Sequence, residues 1–471
     1  MTNSIDENIR IFDECSGYGY SFDVKKALLN IGTVKAVLYY MDGFVKKDEL
    51  IKIHESCLKA KDEDIQLQTE SDCFSKLAER IIPYADIKTY NECKAAADAL
   101  HAGMAVLFAD GYSECAALDI RDYPKRSISE PSKSKTLRGP HEGFTESLIT
   151  NSVLIRRRVK TSSLRFELFN IGSISETDVS LCYIESMCDK KLLETLRRKL
   201  SSVKTESLTM AQESLAELIF PKKGLASLNP LPTVRYVERP DTAAAMLCEG
   251  RILIMCDTSP SVLCIPAGLF SFLEEADDYY FPPVTGSYLR LVRLFIIIAS
   301  VILVPLWLYF AENPHVIPGA LSFIGDLGEF SVPIFAQILI IELAIDGLKL
   351  ASLNTPDTLS NSLSVVGGLL LGDFAVKSGW FVPQTILYCS FTAIANFIPT
   401  NYELGYSIKF SRILILILTH SFGLYGFAAG VFIVLVTLLL TKTPDGKSYL
   451  YPVVPFNSRE AKRILFRPPL K

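Results

Sequence analysis

The chain is short of the residues that most often announce chemistry. Its 471 residues include only 5 histidines and 2 tryptophans, and the histidines are too scattered to form a ligand cluster. The 11 cysteines show no CxxC spacing and no nearby histidine cluster, which excludes the common zinc arrangements and leaves no metal site to name. Set among apolar neighbours, as at Cys182, Cys248, Cys256, Cys264 and Cys389, they read as reduced, buried, small hydrophobes. Also missing are a GxGxxG after a strand, a Walker-type loop, a GxSxG elbow and an HExxH pair. No catalytic residue and no cofactor is therefore expected. A formal net charge of −4 gives nucleic acid binding no support. The opening MTNSIDENIRIFDECSGYG lacks a basic start followed by an apolar core and a cleavage site, so a secretory leader is not expected and the front half is placed in the cytoplasm.

What the chain does have is contrast. A mean hydropathy of +0.26 is too apolar for an ordinary soluble protein and too polar for one lying wholly in lipid, so the average covers two regimes. Residues 1–288 read as mixed globular sequence, whereas long apolar runs dominate from Leu294 to Leu440.

The front half is a duplication. With Gly103 set against Gly250, Ala96, Leu100 and Asp110 fall on Ala243, Leu247 and Asp257. Each copy reads as a small-residue helix, a glycine stop, a strand, an Asp-led turn and a second strand, with a further strand and helix upstream. The fold class expected is a tandem pair of soluble α/β subdomains, residues 1–125 and 139–285. Residues 126–138, rich in Ser, Pro, Lys and Arg, join them as a basic linker, either a solvated hinge or a contact for lipid headgroups. Asp110 and Asp257 suit turns in which a carboxylate bonds its own backbone. A helix over Phe144–Lys160 closes on Arg156, Arg157 and Arg158. Basic residues in a last turn complement the helix dipole; three in a row also suit contact with a neighbouring subunit or lipid, and both readings stay open.

The back half predicts an all-α, multi-pass transmembrane domain over 286–441, followed by a basic cytoplasmic tail over 442–471. The first span, Leu291–Ala311, has Arg290 and Arg293 on its near side, which puts its N-terminal end in the cytoplasm, with Trp307 and Tyr309 at the outer interface. Val332–Leu348, Ser362–Ser378 and Trp380–Pro399 follow as spans, returning to a loop with Lys409 and Arg412. Residues 408–440 are apolar for longer than one crossing of a ~30 Å core requires at ~1.5 Å per residue. The glycine break in SFGLYGF, Ser421–Phe427, favours a hairpin of two short spans over one long tilted helix. In the tail, Ile464, Leu465 and Phe466 are set among basic residues, a pattern that suits the membrane surface.

The stretch QILIIELAIDGLKLA, Gln337–Ala351, places Glu342 and Asp346 four apart on one helical face. A carboxylate at mid-membrane costs ~2.5–3.5 kcal/mol on insertion scales, so each must face protein or water. Lys349 offers Asp346 a partner and leaves Glu342 unexplained. In SLSVVGGLLLGDFAVKSG, Ser362, Val366, Leu369 and Asp373 share a face, while Gly368 and Gly372 lie on an adjacent small-residue face suited to helix packing. Lys377 is the alternative partner for Asp373. Val365, Val366 and Leu369 are candidates for a dewetting constriction in an ion path, and Glu342, Asp346 and Asp373 for its negative potential.

Four long motifs carry a family resemblance: GPHEGFTESLITNSVLIRRR (Gly139–Arg158), ERPDTAAAMLCEGRILIMCD (Glu238–Asp257), VVGGLLLGDFAV (Val365–Val376) and TAIANFIPTNYELG (Thr392–Gly405). From Val34 to the tail the chain resembles the A subunits of spore germination receptors, the GerA type. The resemblance implies a multi-pass protein of the inner spore membrane with its soluble domains facing the spore core. It also implies a homo-oligomeric ring around an ion channel that opens early in germination, set among membrane lipids, with a second membrane subunit and other germination proteins as partners. Two departures bear on conductance. Where the family commonly reads GQAAVEAG, this chain has Gly372, Asp373, Phe374, Ala375, Val376, Lys377, Ser378 and Gly379; the usual REAG appears as Lys349, Leu350, Ala351 and Ser352. A secondary transporter and a non-conducting scaffold are the rival readings, the former weakened by the lack of an inverted repeat between spans.

Overall fold

The computed structural model describes residues 1–60, 74–82, 85–122, 139–222, 224–317, 319, 325, 327, 328, 330–353, 375–399 and 401–466. The chain divides into two compact units, Met1–Lys222 with Val234–Pro266, and Lys223–Thr233 with Ala267–Lys471. The division thus falls at Pro266, ahead of the expected boundary at 285, and the tail belongs to the second unit. The linker over 126–138 lies outside the described residues.

The first unit holds two five-stranded sheets. In the first, β1 (Val24–Ile31), β2 (Val34–Met41), β3 (Asp86–Tyr90), β4 (Ala105–Ala109) and β5 (Cys115–Asp119) lie in the order β1-β2-β4-β5-β3; in the second, β6 (Leu164–Ile171), β7 (Thr177–Ile184), β8 (Arg235–Val237), β9 (Ile252–Cys256) and β10 (Val262–Ile265) repeat it as β6-β7-β9-β10-β8. The shared order makes the duplication a structural fact. Helices and strands alternate as the α/β reading expects, yet every strand pair is antiparallel. Strands β4 and β9 are buried at every position because helices cover both faces of each sheet. On the first sheet, α1 (Ile5–Ser16) and α4 (Cys93–His101) pack Phe12, Ala96 and Leu100 on one face, and α2 (Lys47–Lys59) and α3 (Phe74–Ile81) pack Ile53 and Leu77 on the other. On the second, α5 (Leu148–Arg156) and α8 (Pro240–Cys248) oppose α6 (Lys190–Ser202) and α7 (Ala211–Ile219). Cys182, Cys256 and Cys264 are buried as read from sequence, whereas Cys248 is exposed.

Asp110 and Asp257 do something other than turn chemistry. Asp110 Oδ1 accepts from Ile5 N at 3.1 Å and Asp257 Oδ1 from Leu148 N at 3.0 Å, so each carboxylate caps a helix distant in sequence, where the dipole favours negative charge. A second device is shared: Asn8 bonds both backbone groups of Thr2 at 2.9 and 2.6 Å, and Asn151 both of Thr145 at 2.8 and 2.6 Å. Helix α1 is therefore part of the first copy, as α5 is of the second.

Arg156 joins the copies. It is fully buried and donates to Asp23 Oδ2 at 3.0 and 3.1 Å and to Leu164 O at 3.2 Å, with its guanidinium 5.0 Å from the Phe166 ring centroid. Ser21 and Phe22 run beside β6, where Phe22 N donates to Phe166 O and Phe166 N to Ser21 Oγ, both at 3.0 Å. Arg156 Nη1 also faces His101 Nδ1 at 3.3 Å; a guanidinium can only donate, so Nδ1 accepts and the ring is neutral. Burial first, and the Arg156 charge next, hold the His101 pKa down to about 2. The reading of Arg156 as a subunit or lipid contact is corrected by its complete enclosure. Arg157 and Arg158 pair with Glu142 at 3.1 and 2.6 Å.

The second unit is helical: α9 (Ala276–Tyr280), α10 (Pro283–Glu312), α11 (Ile334–Leu353), α12 (Pro383–Ala395), α13 (Tyr402–Leu440) and α14 (Ser458–Leu465). Helices α10 and α13 are long and apolar enough to cross a membrane. In α13 the backbone breaks at Gly423, with φ 58° and ψ −136°. A Cβ at Gly430 would stand 3.0 Å from Ile415 Cα, and one at Gly426 would strike Leu418 O at 1.8 Å. Residues 415 and 430 of a straight helix are ~22 Å apart, so the chain doubles back at Gly423 into two arms, 402–422 and 424–440, pressed together through glycines. This is the favoured hairpin. Trp307 is 2% exposed, with its ring 4.9 Å from that of Tyr388 on α12. Arg290 and Arg293 are more than a positive flank. Both pair with buried Asp278 at 3.1 Å, and Arg290 Nη1 donates to Arg463 O and Ile464 O at 3.2 and 3.0 Å, closing the C-terminal end of α14.

Removing one member of a buried pair costs about 3–5 kcal/mol. Arg156→Gln or Asp23→Asn should lower the unfolding midpoint of the first unit by roughly 6–20 °C, whereas the double change Asp23→Leu with Arg156→Met recovers most of the loss; thermal unfolding of the detergent-solubilised full chain reads this. His101 adds an acid limb. Its folded pKa lies below the unfolded value of ~6.5, so its contribution is complete above pH ~6.5 and falls by about 1.4 kcal/mol per pH unit as pH drops toward 2. His101→Gln should flatten the decline between pH 6.5 and 5 in the same assay.

Candidate functional site: a buried charge cluster in the helical unit

Glu342 and Asp346 project from α11 toward the first arm of α13, which supplies Lys409 and Arg412. Glu342 Oε1 accepts from Arg412 Nε at 2.9 Å and lies 2.8 Å from Arg412 Nη2, while Glu342 Oε2 lies 3.2 Å from Lys409 Nζ. Lys409 Nζ also donates to Glu342 O at 3.1 Å and to Asp346 Oδ2. Arg412 Nη1 reaches across to Ser300 O on α10 at 3.2 Å. The cluster therefore ties three helices together with two acids against two bases. Glu342 is 4%, Lys409 5% and Arg412 0% exposed, so these charges are compensated by one another and not by solvent. Asp346 differs, its side chain being 32% exposed.

Lys349 is not the partner of Asp346. Its ammonium sits 4.6, 4.8 and 5.6 Å from the ring centroids of Tyr402, Tyr406 and Phe397, an aromatic surround that stabilises a cation through the ring quadrupoles. At the other end of α11, Gln337 Oε1 accepts from Val382 N at 3.0 Å and Thr385 Oγ1 at 2.9 Å, fixing the start of α12. Near the far end of α10, Glu312 pairs with His420 at 2.7 Å, and His420 stacks on Phe335 at 4.3 Å.

The two acids read from sequence are thus brought together, and their partners are Lys409 and Arg412, which the sequence reading places in a loop. Their spacing was the available signal: two bases three apart on one helix match two acids four apart on another. Ser362, Val365, Val366, Gly368, Leu369, Gly372 and Asp373 lie outside the described residues.

The family model for the Bacillus/Clostridium GerA spore germination protein matches residues 13–471, and the chain belongs to the GerA family of spore germination proteins. It is 32% identical over 461 residues to stage V sporulation protein AF of Bacillus subtilis (strain 168), covering 98% of this chain and 92% of that protein. It is 30% identical to spore germination protein KA of the same organism, covering 96% and 82%. Among solved structures, the N-terminal domain of the A subunit of the Bacillus megaterium spore germinant receptor GerK3 aligns with 56% of this chain and 95% of its own at 24% identity and a TM-score of 0.43.

Glu342→Gln leaves Arg412 enclosed without a counter-charge and should cost about 3–5 kcal/mol. The expected result is loss of monodisperse protein in detergent, rescued in part by adding Arg412→Met. Asp346→Asn, at a third-exposed position whose partner Lys409 retains Glu342, should leave the elution profile unchanged.

Proposed function

We propose that this protein is a non-catalytic channel subunit of the spore germination apparatus, residing in the inner spore membrane as a multi-pass protein with its first unit in the cytoplasm. Several copies enclose a cation-permeable path, in contact with membrane lipid, a second membrane subunit and other germination proteins. Family membership supports the setting, and the two long apolar helices and the α13 hairpin support the membrane placement.

One observation carries the ion path. The cluster consumes Glu342 entirely, whereas Asp346, on the same face of α11, remains 32% exposed. Glu342 is then the clamp holding α11 to α13, and Asp346 is the acid left to face water. Downstream lies the segment whose sequence bears Val365, Val366, Leu369 and Asp373. In that arrangement Asp346 and Asp373 raise the local cation concentration, and the branched side chains form the narrow part of the path.

Reconstituted into liposomes, the protein should pass potassium in preference to chloride. Asp346→Asn and Asp373→Asn should each lower that preference by roughly 5-fold without loss of protein. Electrically silent oligomers would leave a scaffold, and saturable counterflow of labelled solute would leave a carrier.

A further inference from the structure

The second unit carries an open, groove-like cavity of about 1080 Å³ bounded by α10, both arms of α13, residues 227–231 and 269–273, the tail and α14. Its walls are apolar, with Leu294, Val301, Leu414, Leu435 and Ile464 contributed by four different stretches of helix. Apart from Ser227, which is exposed, the polar side chains on it are already satisfied. Ser407 donates to Glu403 O and Pro230 O, Ser411 to Ser407 O, Thr437 to Ile433 O, and Asn229 Nδ2 to Thr441 Oγ1. A void without open hydrogen-bonding groups offers water nothing and calls for an apolar guest. Its shape narrows the choice. The lining runs from Leu294 to Ile302 on α10 and from Leu404 to Ile415 on α13, roughly 12 and 16 Å at the helical rise, a length that suits a flexible chain and not a compact solute.

Helix α14 supplies the other half of the argument. Ala461, Ile464 and Leu465 turn into the cavity, while Arg459 and Lys462 are exposed. An apolar face over a chain-shaped void, backed by a basic face, is the pattern of a helix lying at a headgroup boundary. Its position is fixed by Arg290, which holds the carbonyls of Arg463 and Ile464. We infer that this cavity is a binding site for one anionic phospholipid, its acyl chain between α10 and the α13 hairpin and its headgroup beside α14, whose exposed Arg459 and Lys462 supply the positive field. The inference rests on the membrane placement of α10 and α13 and is independent of any ion path.

The test uses the full chain in nanodiscs containing phosphatidylglycerol with a photoactivatable acyl chain, with labelled peptides mapped by mass spectrometry. Label should concentrate on 294–302, 431–438 and 461–465, and excess unlabelled phosphatidylglycerol should compete it away while phosphatidylcholine does not. Val434→Trp, which fills the cavity, should cut that label at least 5-fold, and Arg459→Glu with Lys462→Glu should abolish the preference for the anionic lipid. Label spread evenly over all apolar helical surfaces, equal competition by phosphatidylcholine, or crosslinks from the cavity to a second copy of the chain would each overturn the assignment. The unmodified protein suffices for those three readouts if a variant fails to fold. Absence of all label on α10 and α13 would instead count against their membrane placement, and ion flux is not a readout, so failure of the channel reading is scored separately.

Discussion

Everything in the helical unit depends on how four charges are kept away from lipid. Isolated, any of them would be costly in an apolar surround; placed against one another they become the most directional contact available between helices that are otherwise greasy all round. Apolar side chains give little register to two helices in a medium as apolar as themselves. Glu342, set between Lys409 and Arg412, admits one relative position of α11 and α13, and Arg412, reaching Ser300 O, extends that choice to α10. The chemistry is thus structural at its centre and open only at its edge, where the Asp346 side chain is 32% exposed.

The first unit applies the same logic between two sheets. Its two copies share strand order, helical cover, an aspartate cap and an asparagine clasp, features set by local sequence and therefore repeated with it. The contact that joins them is not repeated, because it spans residues 23, 101 and 156, which only the folded chain brings together.

This division also explains what could be read beforehand. The duplication was legible because equivalent glycines and aspartates keep their spacing, and the α13 reversal because Gly423 sits in an apolar run too long for one crossing. Helix α1 escaped notice since MTNSIDENIRIFDECS is polar enough to pass for an irregular start, and only the Asp110 cap reveals its kinship with α5. The acids on α11 stood out by their apolar surroundings, yet Lys409 and Arg412 carried a second plausible meaning as topology markers, and nothing local distinguishes a base at a membrane edge from one inside a helix contact. Arg156 misled for a related reason: three consecutive arginines look like a surface feature, and long-range pairing with Asp23 leaves no trace in spacing.

Aligning Asn8 with Asn151 puts Asp13 of the first copy at the position of Arg156 in the second. Asp13 stays at home, paired with Lys26 at 2.8 Å and Tyr39 at 2.7 Å, while Arg156 reaches abroad to Asp23. Twins that once filled equivalent places have thus diverged in the sign of one side chain, and the divergence makes them inseparable: cut apart, the second would carry an orphaned guanidinium in its interior and the first a stranded carboxylate. A duplicated module of this kind has lost the freedom to be dealt out singly or shuffled, and must be inherited, expressed and engineered as a pair.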